Sequence, residues 1–319
     1  MIQMTKATVI IPVKNGGEIL KKVVDKVLSQ KLKGNFELVV VDSGSTDGSL
    51  EFLKNHPDKR VKILKISPKE FGHGKTRNFA VSKAKGEFVA FITQDALPAS
   101  NKWLQKLIDA FKESDIVGVF GKHIPYENTY PVEKKQIVEH FDKNFGKKWL
   151  KFKIKDKKDY EARKGWYIYY SDNNSCMRKD ILQKIPFRNF WMGEDQFWAR
   201  DILEAGYAKA YEPEAAVYHS HKYSFREIIK RYYDEYRLHV EVGNATKAGI
   251  KDALRFFMHS YKYSLKTIFE LKTNIFKKIY WMFFYFVYDL ARTYGYYIGT
   301  NGTNEQDETM SMQSEIINR

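Results

Sequence analysis

Phe88-Val89-Ala90-Phe91-Ile92-Thr93-Gln94-Asp95-Ala96 is an apolar run that ends abruptly in one carboxylate. A short run with no polar alternation, Phe88 to Ile92, fits a strand buried on both faces, as in a parallel sheet covered by helices. An acid at the carboxyl end of such a strand faces the crevice where open α/β sheets bind ligands, and there it can hold a divalent ion against a phosphate. Upstream the chain repeats the pattern. Ala7 to Val13 is a β-branched run ending at Asn15-Gly16-Gly17, and Ile19, Val23, Val24, Val27 and Leu28 then follow a helical period. Phe36 to Val41 is a second strand, followed by the polar loop Asp42 to Ser49 and a helix from Leu50. Val61 to Ile66 reads as a third strand, Lys75 to Lys83 as a helix, and Glu87 to Ile92 as the fourth strand. This βαβα alternation predicts one parallel sheet carrying all four strands.

Beyond Pro98 the spacing predicts a helix over Lys102 to Phe111 and a strand over Ile116 to Phe120; the pattern then loosens. Seven lysines (147, 148, 151, 153, 155, 157 and 158) crowd twelve residues that hold one acid, Asp156. Two readings stand, a solvated or mobile loop and an electrostatic arm for phosphates. Tyr167 to Met177 reads as a strand, followed by helices around Lys179 to Lys184 and Glu194 to Glu204. From Arg226 the chain reads as wholly helical, and beyond Gly299 as polar and disordered.

The 319 residues carry 54 Lys and Arg against 39 Asp and Glu, a net charge of +15, which points to a polyanionic partner. Phosphorylated substrate, anionic membrane and nucleic acid all satisfy that, but no nucleic-acid-binding motif is present. A single cysteine, Cys176, excludes an internal disulfide and suits a reducing compartment. The start of the chain lacks the regions of a signal peptide, and the longest unbroken apolar run, Ile279 to Tyr288, is far below the ~20 residues needed to span a bilayer. A cytoplasmic protein is expected.

Four constellations offer chemistry. The Asp42-Ser43-Gly44-Ser45-Thr46-Asp47 loop joins a strand to a helix, where backbone N–H groups and a short acid meet a nucleotide; neither G-x-G-x-x-G nor a Walker loop is present. Asp47 suits a helix cap, whereas Asp42, at the strand end, suits a base or ribose. Phe71-Gly72-His73-Gly74-Lys75-Thr76-Arg77-Asn78 combines glycines that let the backbone approach a ligand with the planar donor fork of Arg77, although a plain turn explains the glycines too. Trp191-Met192-Gly193-Glu194-Asp195 places two acids at a helix start. Asp195 is the candidate to take a proton from an acceptor hydroxyl, with Trp191 beside it, and Trp149 and Trp166 elsewhere, as faces for a sugar ring. His219-Ser220-His221 follows a strand-like Ala215 to Tyr218, and one of these imidazoles joining Asp95 around a hard cation is more economical than a zinc site, for which soft ligands are missing.

Those segments, in this order, resemble the family 2 inverting glycosyltransferases of the GT-A fold over roughly residues 7 to 222. The resemblance rests on Val39 to Gly48, on Thr93-Gln94-Asp95 and on Gly193-Glu194-Asp195. It implies an α/β, Rossmann-like, mostly parallel sheet flanked by helices with a C-terminal helical extension: a nucleotide-sugar transferase domain over 1–225, a helical region over 226–300 and a disordered tail over 301–319. By the same resemblance Asp42 contacts the base, Asp95 binds a divalent metal, Mg²⁺ or Mn²⁺, with His219 or His221, and Asp195 is the general base. Pro12, Val13, Asp42, Arg77, Thr93, Gln94, Trp191 and Glu194 are then the donor and acceptor contacts, with Arg77 near the diphosphate.

One departure is that Thr93-Gln94-Asp95-Ala96 stands where the family usually has Asp-x-Asp. Together with Ala96-Leu97-Pro98 and the Gly72 to Asn78 run, it resembles the bacterial rhamnosyltransferase branch. That branch implies dTDP-L-rhamnose as donor and a glycan or lipid-linked acceptor in surface polysaccharide synthesis. A UDP-sugar transferase is the nearest alternative, and a non-catalytic nucleotide-sugar or nucleic-acid-binding protein the alternative of another class. In the tail, Arg226, Lys230 and Arg231 precede Tyr232, Tyr233 and Tyr236, and Lys277-Lys278 precede Ile279 to Phe286. Cations beside an aromatic surface fit a peripheral helix on an anionic membrane, at the inner face of the plasma membrane; packing, including a homodimer contact, fits equally.

Overall fold

The computed structural model describes residues 5–243 and 245–302. Its first half realises the alternation read above: β1 (Thr5–Val13), α1 (Gly17–Leu28), β2 (Asn35–Asp42), α2 (Ser49–Lys54), β3 (Val61–Lys65), α3 (His73–Lys83) and β4 (Phe88–Ile92). These strands pair in parallel in the order β3-β2-β1-β4, and strictly alternating side chains feed two cores. Ala7, Val9, Ile11 and Val13 of β1 face Leu20, Val23, Val24 and Val27 of α1, whereas Val39 and Val41 of β2 face Ala80 and Val81 of α3. Each buried valine, leucine or isoleucine among them contributes on the order of 1.5–3 kcal/mol of transfer free energy.

The second half continues the same sheet but not its direction. β8 (Asn174–Arg178) runs antiparallel to β4 and to β6 (Ile116–Ile124), and β6 pairs in parallel with β9 (Ala208–Tyr218). β5 (Leu97–Pro98) and β7 (Leu150–Phe152) add antiparallel partners to β9, giving a mixed sheet of nine strands. α4 (Trp103–Asp109) packs on one face; α8 (Lys179–Lys184) and α9 (Glu194–Glu204) pack on the other.

Two expectations for this half are corrected. Tyr167 to Met177 is not one strand: α7 (Lys164–Ile168) precedes a tight turn in which Asn174 donates to the Ser171 carbonyl at 3.0 Å, and only then does β8 begin. Ser171, Asp172 and Asn173 are turn formers, and they outweigh the aromatic strand propensity before them. The lysine run is no loose loop either. It contains β7 and the start of α6 (Lys157–Ala162), and Lys151 and Lys153 both bind Asp115, at 2.8 Å each. The loosened stretch before it contains α5 (Pro131–Asn144), opened by a proline at its first position, where no N–H is needed.

The chain divides into two compact units, Met1–Tyr126 with Ile137–Ser220, and Glu127–Gln136 with His221–Arg319. The second unit contains α10 (Phe225–Glu241), α11 (Ile250–Glu270) and α12 (Ile275–Asn301). Its centre is polar: Ser260 and Ser264 donate to Asp289 at 2.8 and 2.7 Å, Arg292 donates to Asp289 at 2.8 Å and also meets Glu133, and the Tyr285 hydroxyl donates to Glu133 at 2.6 Å. α12 presses closely on α10 through Gly295 and Gly299, where an added Cβ would strike the carbonyl oxygens of Ile229 and Tyr233. Among the described residues no helix is long and apolar enough to cross a membrane. Of the tail expected to be disordered, Asn301 ends α12 and Gly302 caps it; residues 303–319 lie outside the described ones.

Candidate active site

The carboxyl ends of β1, β2 and β4 are sewn together by side chains that the intervening loops supply. Ser43, next to the end of β2, donates through its N–H and its hydroxyl to the Val13 carbonyl, at 2.9 and 3.1 Å. Gln94 forms a reciprocal pair with the Lys14 backbone, accepting from its N–H at 2.9 Å and donating to its carbonyl at 3.1 Å. Gln94 therefore fixes the end of β1 to the end of β4, with Pro12 and Val13 immediately before the joint. Asp47 accepts from the Gly17 and Ser49 N–H groups at 2.9 and 3.0 Å, so it holds the starts of α1 and α2 as a cap would. Asp42 is buried and accepts from the N–H of Gly44 at 3.1 Å and of Ser45 at 3.3 Å. That closes the turn for which Gly44 takes φ 93°. Thr93 Oγ1 is buried without a hydrogen-bond partner among the described residues.

Asp95 lies three residues past β4, its side chain half-buried. Its Oδ1 is 3.6 Å from Nε2 of the buried His219, just after β9, and its carbonyl accepts from the Tyr126 hydroxyl at 2.9 Å. Asp95, His219 and His221 each offer one ligand atom, and these lie within 4.8 Å of one another. One carboxylate and two imidazoles are a donor set for a divalent ion that keeps its remaining positions for water or substrate oxygens. His219 and His221 differ: His219 is buried and has Asn173 at 3.4 Å from its Nδ1, while His221 is exposed and stacks on Tyr223 at 5.3 Å.

The third group gathers around the start of α9. Gly193, at φ 77°, turns the chain so that Glu194 points inward and Asp195 stays half-buried. Asp195 accepts from the Gln196 N–H at 2.8 Å and from the Asp172 N–H at 3.1 Å. Arg77 is buried; its Nη1 lies 2.6 Å from Glu194 and its Nε 3.2 Å from Asp172, which also accepts from the Ser175 hydroxyl at 2.8 Å. Two carboxyl groups, Glu194 and Asp172, thus flank one guanidinium, whose charge also reaches Asp195. Burial and then the charge of Glu194 push the Asp195 carboxyl up to about 6, against the Asp172 N–H and Arg77, which lower it. Burial raises Asp172 well above the carboxylate range, against the pull of Arg77. Burial alone would lower the Arg77 guanidinium, but Glu194, Asp172 and Asp195 outweigh it and raise it.

Of the glycines before Arg77, Gly74 serves the protein's own backbone. A Cβ on Gly74 would collide with the Arg188 carbonyl, and Asn78 pairs with the Phe187 backbone, donating to its carbonyl at 2.8 Å and accepting from its N–H at 3.1 Å. This run docks the loop that leads to Trp191, which is half-buried next to Phe190 with ring centroids 5.8 Å apart. Trp149 and Trp166 donate their indole N–H to the carbonyls of Ala110 and Asn144 and pack into the cores. Sequence reasoning missed Asp172 and Asn173, which link the Asp195 and His219 groups through a single turn. Their signal was the polar run Ser171 to Ser175 interrupting an aromatic stretch.

The profile of the family described as Glycosyl transferase family 2 matches residues 8–185. The O-antigen chain rhamnosyltransferase RfbN of Salmonella typhimurium is 32% identical over 232 residues, covering 72% of this chain and 71% of that protein. WbaN of Salmonella anatum, also an O-antigen chain rhamnosyltransferase, is 29% identical over 235 residues, with 72% and 71% covered. Among solved structures, the mannosyltransferase PcManGT of Pyrobaculum calidifontis in complex with GDP-Man and Mn²⁺ superposes with a TM-score of 0.61 at 16% identity, over 96% of this chain and 89% of that one. S. aureus TarS 1–349 in complex with UDP-GlcNAc gives 0.55 at 18% identity, over 95% and 93%.

Proposed function

The chain belongs to glycosyl transferase family 2 and has the GT-A fold, and on that premise we propose that it moves L-rhamnose from dTDP-L-rhamnose to a glycan or lipid-linked acceptor of a bacterial surface polysaccharide. The likeness to two O-antigen chain rhamnosyltransferases supports the donor. The observation that carries the transferase step is the half-buried Asp195 carboxyl, oriented by two backbone N–H groups and pushed up to about 6 by burial and Glu194. At neutral pH it is ionised and still basic enough to accept a proton. In the proposed step Asp195 takes the proton of the acceptor hydroxyl as that oxygen bonds the anomeric carbon. The bond from that carbon to the phosphate oxygen breaks with its electron pair on the nucleoside diphosphate, so configuration inverts in one displacement.

Asp42 lies at the end of β2 for the base or ribose of the donor, with Pro12, Val13, Thr93 and Gln94 around the joint of β1 and β4, and Trp191 beside the acceptor. Asp95 with His219 and His221 would hold a divalent metal, Mg²⁺ or Mn²⁺, whose chemistry would be to neutralise the diphosphate. A UDP-sugar donor is the second reading, favoured by the fold shared with TarS, solved with UDP-GlcNAc.

The α-helical unit supports a place on an anionic membrane at the inner face of the plasma membrane. Phe276, Phe283 and Ile250 are 78%, 73% and 71% exposed, and Lys277 and Lys278 stand in the first turn of α12. Phe276, Tyr280, Phe283, Val287, Leu290 and Tyr294, all exposed, repeat at steps of four and three, which fits equally a helix pairing in a homodimer. Co-sedimentation with vesicles of anionic lipid at low salt is expected for the membrane reading; a protein that stays in the supernatant and runs as a dimer supports the other.

Calorimetric titration with dTDP-L-rhamnose, UDP-glucose and UDP-N-acetylglucosamine, with and without Mn²⁺, tests the donor. Selective binding of dTDP-L-rhamnose is expected, and a preference for a UDP-sugar would overturn that assignment.

A further inference from the structure

Arg77, expected from the sequence to contact the donor, is buried with its guanidinium between two carboxyl groups of the protein itself. Its Nη1 donates to the His73 carbonyl at 3.2 Å and meets Glu194 at 2.6 Å, and its Nε faces Asp172 at 3.2 Å. It is 5% exposed, Glu194 4% and Asp172 2%. We infer that Arg77 is a positioning residue for Asp195, holding together the two carboxyl groups that flank the base and balancing the charge of Glu194, rather than a ligand of the diphosphate.

The proposal rests on the reading of Asp195 as the base, and it follows from the way the four groups are tied. Asp172 carries both the side chain that faces Arg77 and the N–H that orients Asp195 Oδ2. Glu194 precedes Asp195 on α9 and is drawn inward by the guanidinium, which leaves Asp195 as the half-buried member. A planar fork can face two carboxylates from two elements at once; an ammonium group serves as one point charge. The charged groups that bear on Asp195 are therefore Arg77 from α3, Asp172 from the turn before β8 and Glu194 from its own helix.

Removing the cation should make Asp195 harder to ionise, and removing the Glu194 charge should make it easier. Both changes are readable without any acceptor, from the pH titration of the Asp195 carboxyl carbon in protein labelled with ¹³C at aspartate, assigned by its loss in Asp195→Asn. Arg77→Gln should raise the midpoint by about one pH unit, Glu194→Gln should lower it, and Arg77→Lys should leave it near the wild-type value. The affinity for dTDP-L-rhamnose, measured by calorimetry, should stay within about twofold in all three. Unmoved midpoints together with a tenfold or greater loss of dTDP-L-rhamnose affinity in Arg77→Gln would overturn the proposal and return Arg77 to the donor. If Arg77→Gln fails to fold, Glu194→Gln with Arg77→Lys decides: a midpoint that does not fall in Glu194→Gln, or donor affinity lost in Arg77→Lys, sinks it. Failure of the base reading shows separately, as dTDP release that survives in Asp195→Asn while the midpoints still move.

Discussion

The backbone N–H of Asp172 donates to Asp195 Oδ2 over 3.1 Å, so a turn between α7 and β8 sets the direction of a carboxylate at the start of α9. The same turn sends Asn173 to His219, 3.4 Å away. The side chains proposed as base and as metal ligand are thus held by adjacent residues, and a change in the turn reaches both.

Activity should depend on pH through Asp195. A base works only when ionised, and burial with Glu194 nearby places this carboxyl at about 6. Initial rates of dTDP release from dTDP-L-rhamnose, with water taking the place of the acceptor hydroxyl, should be level above neutrality and fall about tenfold per pH unit below the midpoint. A limb near pH 4 would show an unperturbed carboxyl.

The raised carboxyl also bears on stability. Folding holds the Asp195 proton more tightly than the unfolded chain does, so the favourable contribution is fully present below the unfolded value of 3.8 and is lost as pH rises through about 6. Asp195→Asn should therefore melt higher than wild type at pH 7.5, by about 2–4 °C for each kcal/mol relieved, and the difference should vanish near pH 3.5. Scanning calorimetry at the two pH values checks it; an equal gain at both would place the effect in packing.

Asp95→Ala removes the one carboxylate of the Asp95, His219 and His221 set. Calorimetry with dTDP should show binding that Mn²⁺ strengthens in wild type and no longer strengthens in the variant. An unchanged Mn²⁺ response would place the ion elsewhere.

Gly299→Ala should loosen the α-helical unit. The new methyl would meet the Tyr233 carbonyl, and α12 would have to move away from α10. A loss of about 1–3 kcal/mol in urea unfolding is expected. No loss would mean that the two helices have room to shift.

The parallel half of the sheet was legible because its signals are local. Unbroken apolar strands such as Val39 to Val41, a helical period from Leu20 to Leu28 and turn residues at 15–17 agree on one answer. Asp42, Asp95 and Asp195 were legible as acids at strand or helix ends, positions that the local pattern defines. Asp172 was not, because its importance lies in a bond to a residue 23 positions away, and its own neighbours read as strand. Nor was the setting of Arg77: a guanidinium on a helix looks alike from sequence whether it faces a ligand or, as here, Glu194 and Asp172. The lysine run misled in the same way, since Asp115, which binds Lys151 and Lys153, comes well before it in the chain.

The central claim, that Asp195 is the base of a sugar transfer, is tested most directly by comparing wild type with Asp195→Asn in dTDP release from dTDP-L-rhamnose and in calorimetric affinity for that donor. Release should fall by about 10²–10⁴-fold while affinity stays within about twofold. Release at the wild-type rate, or a fall in release accompanied by loss of donor affinity, would exclude Asp195 as the base.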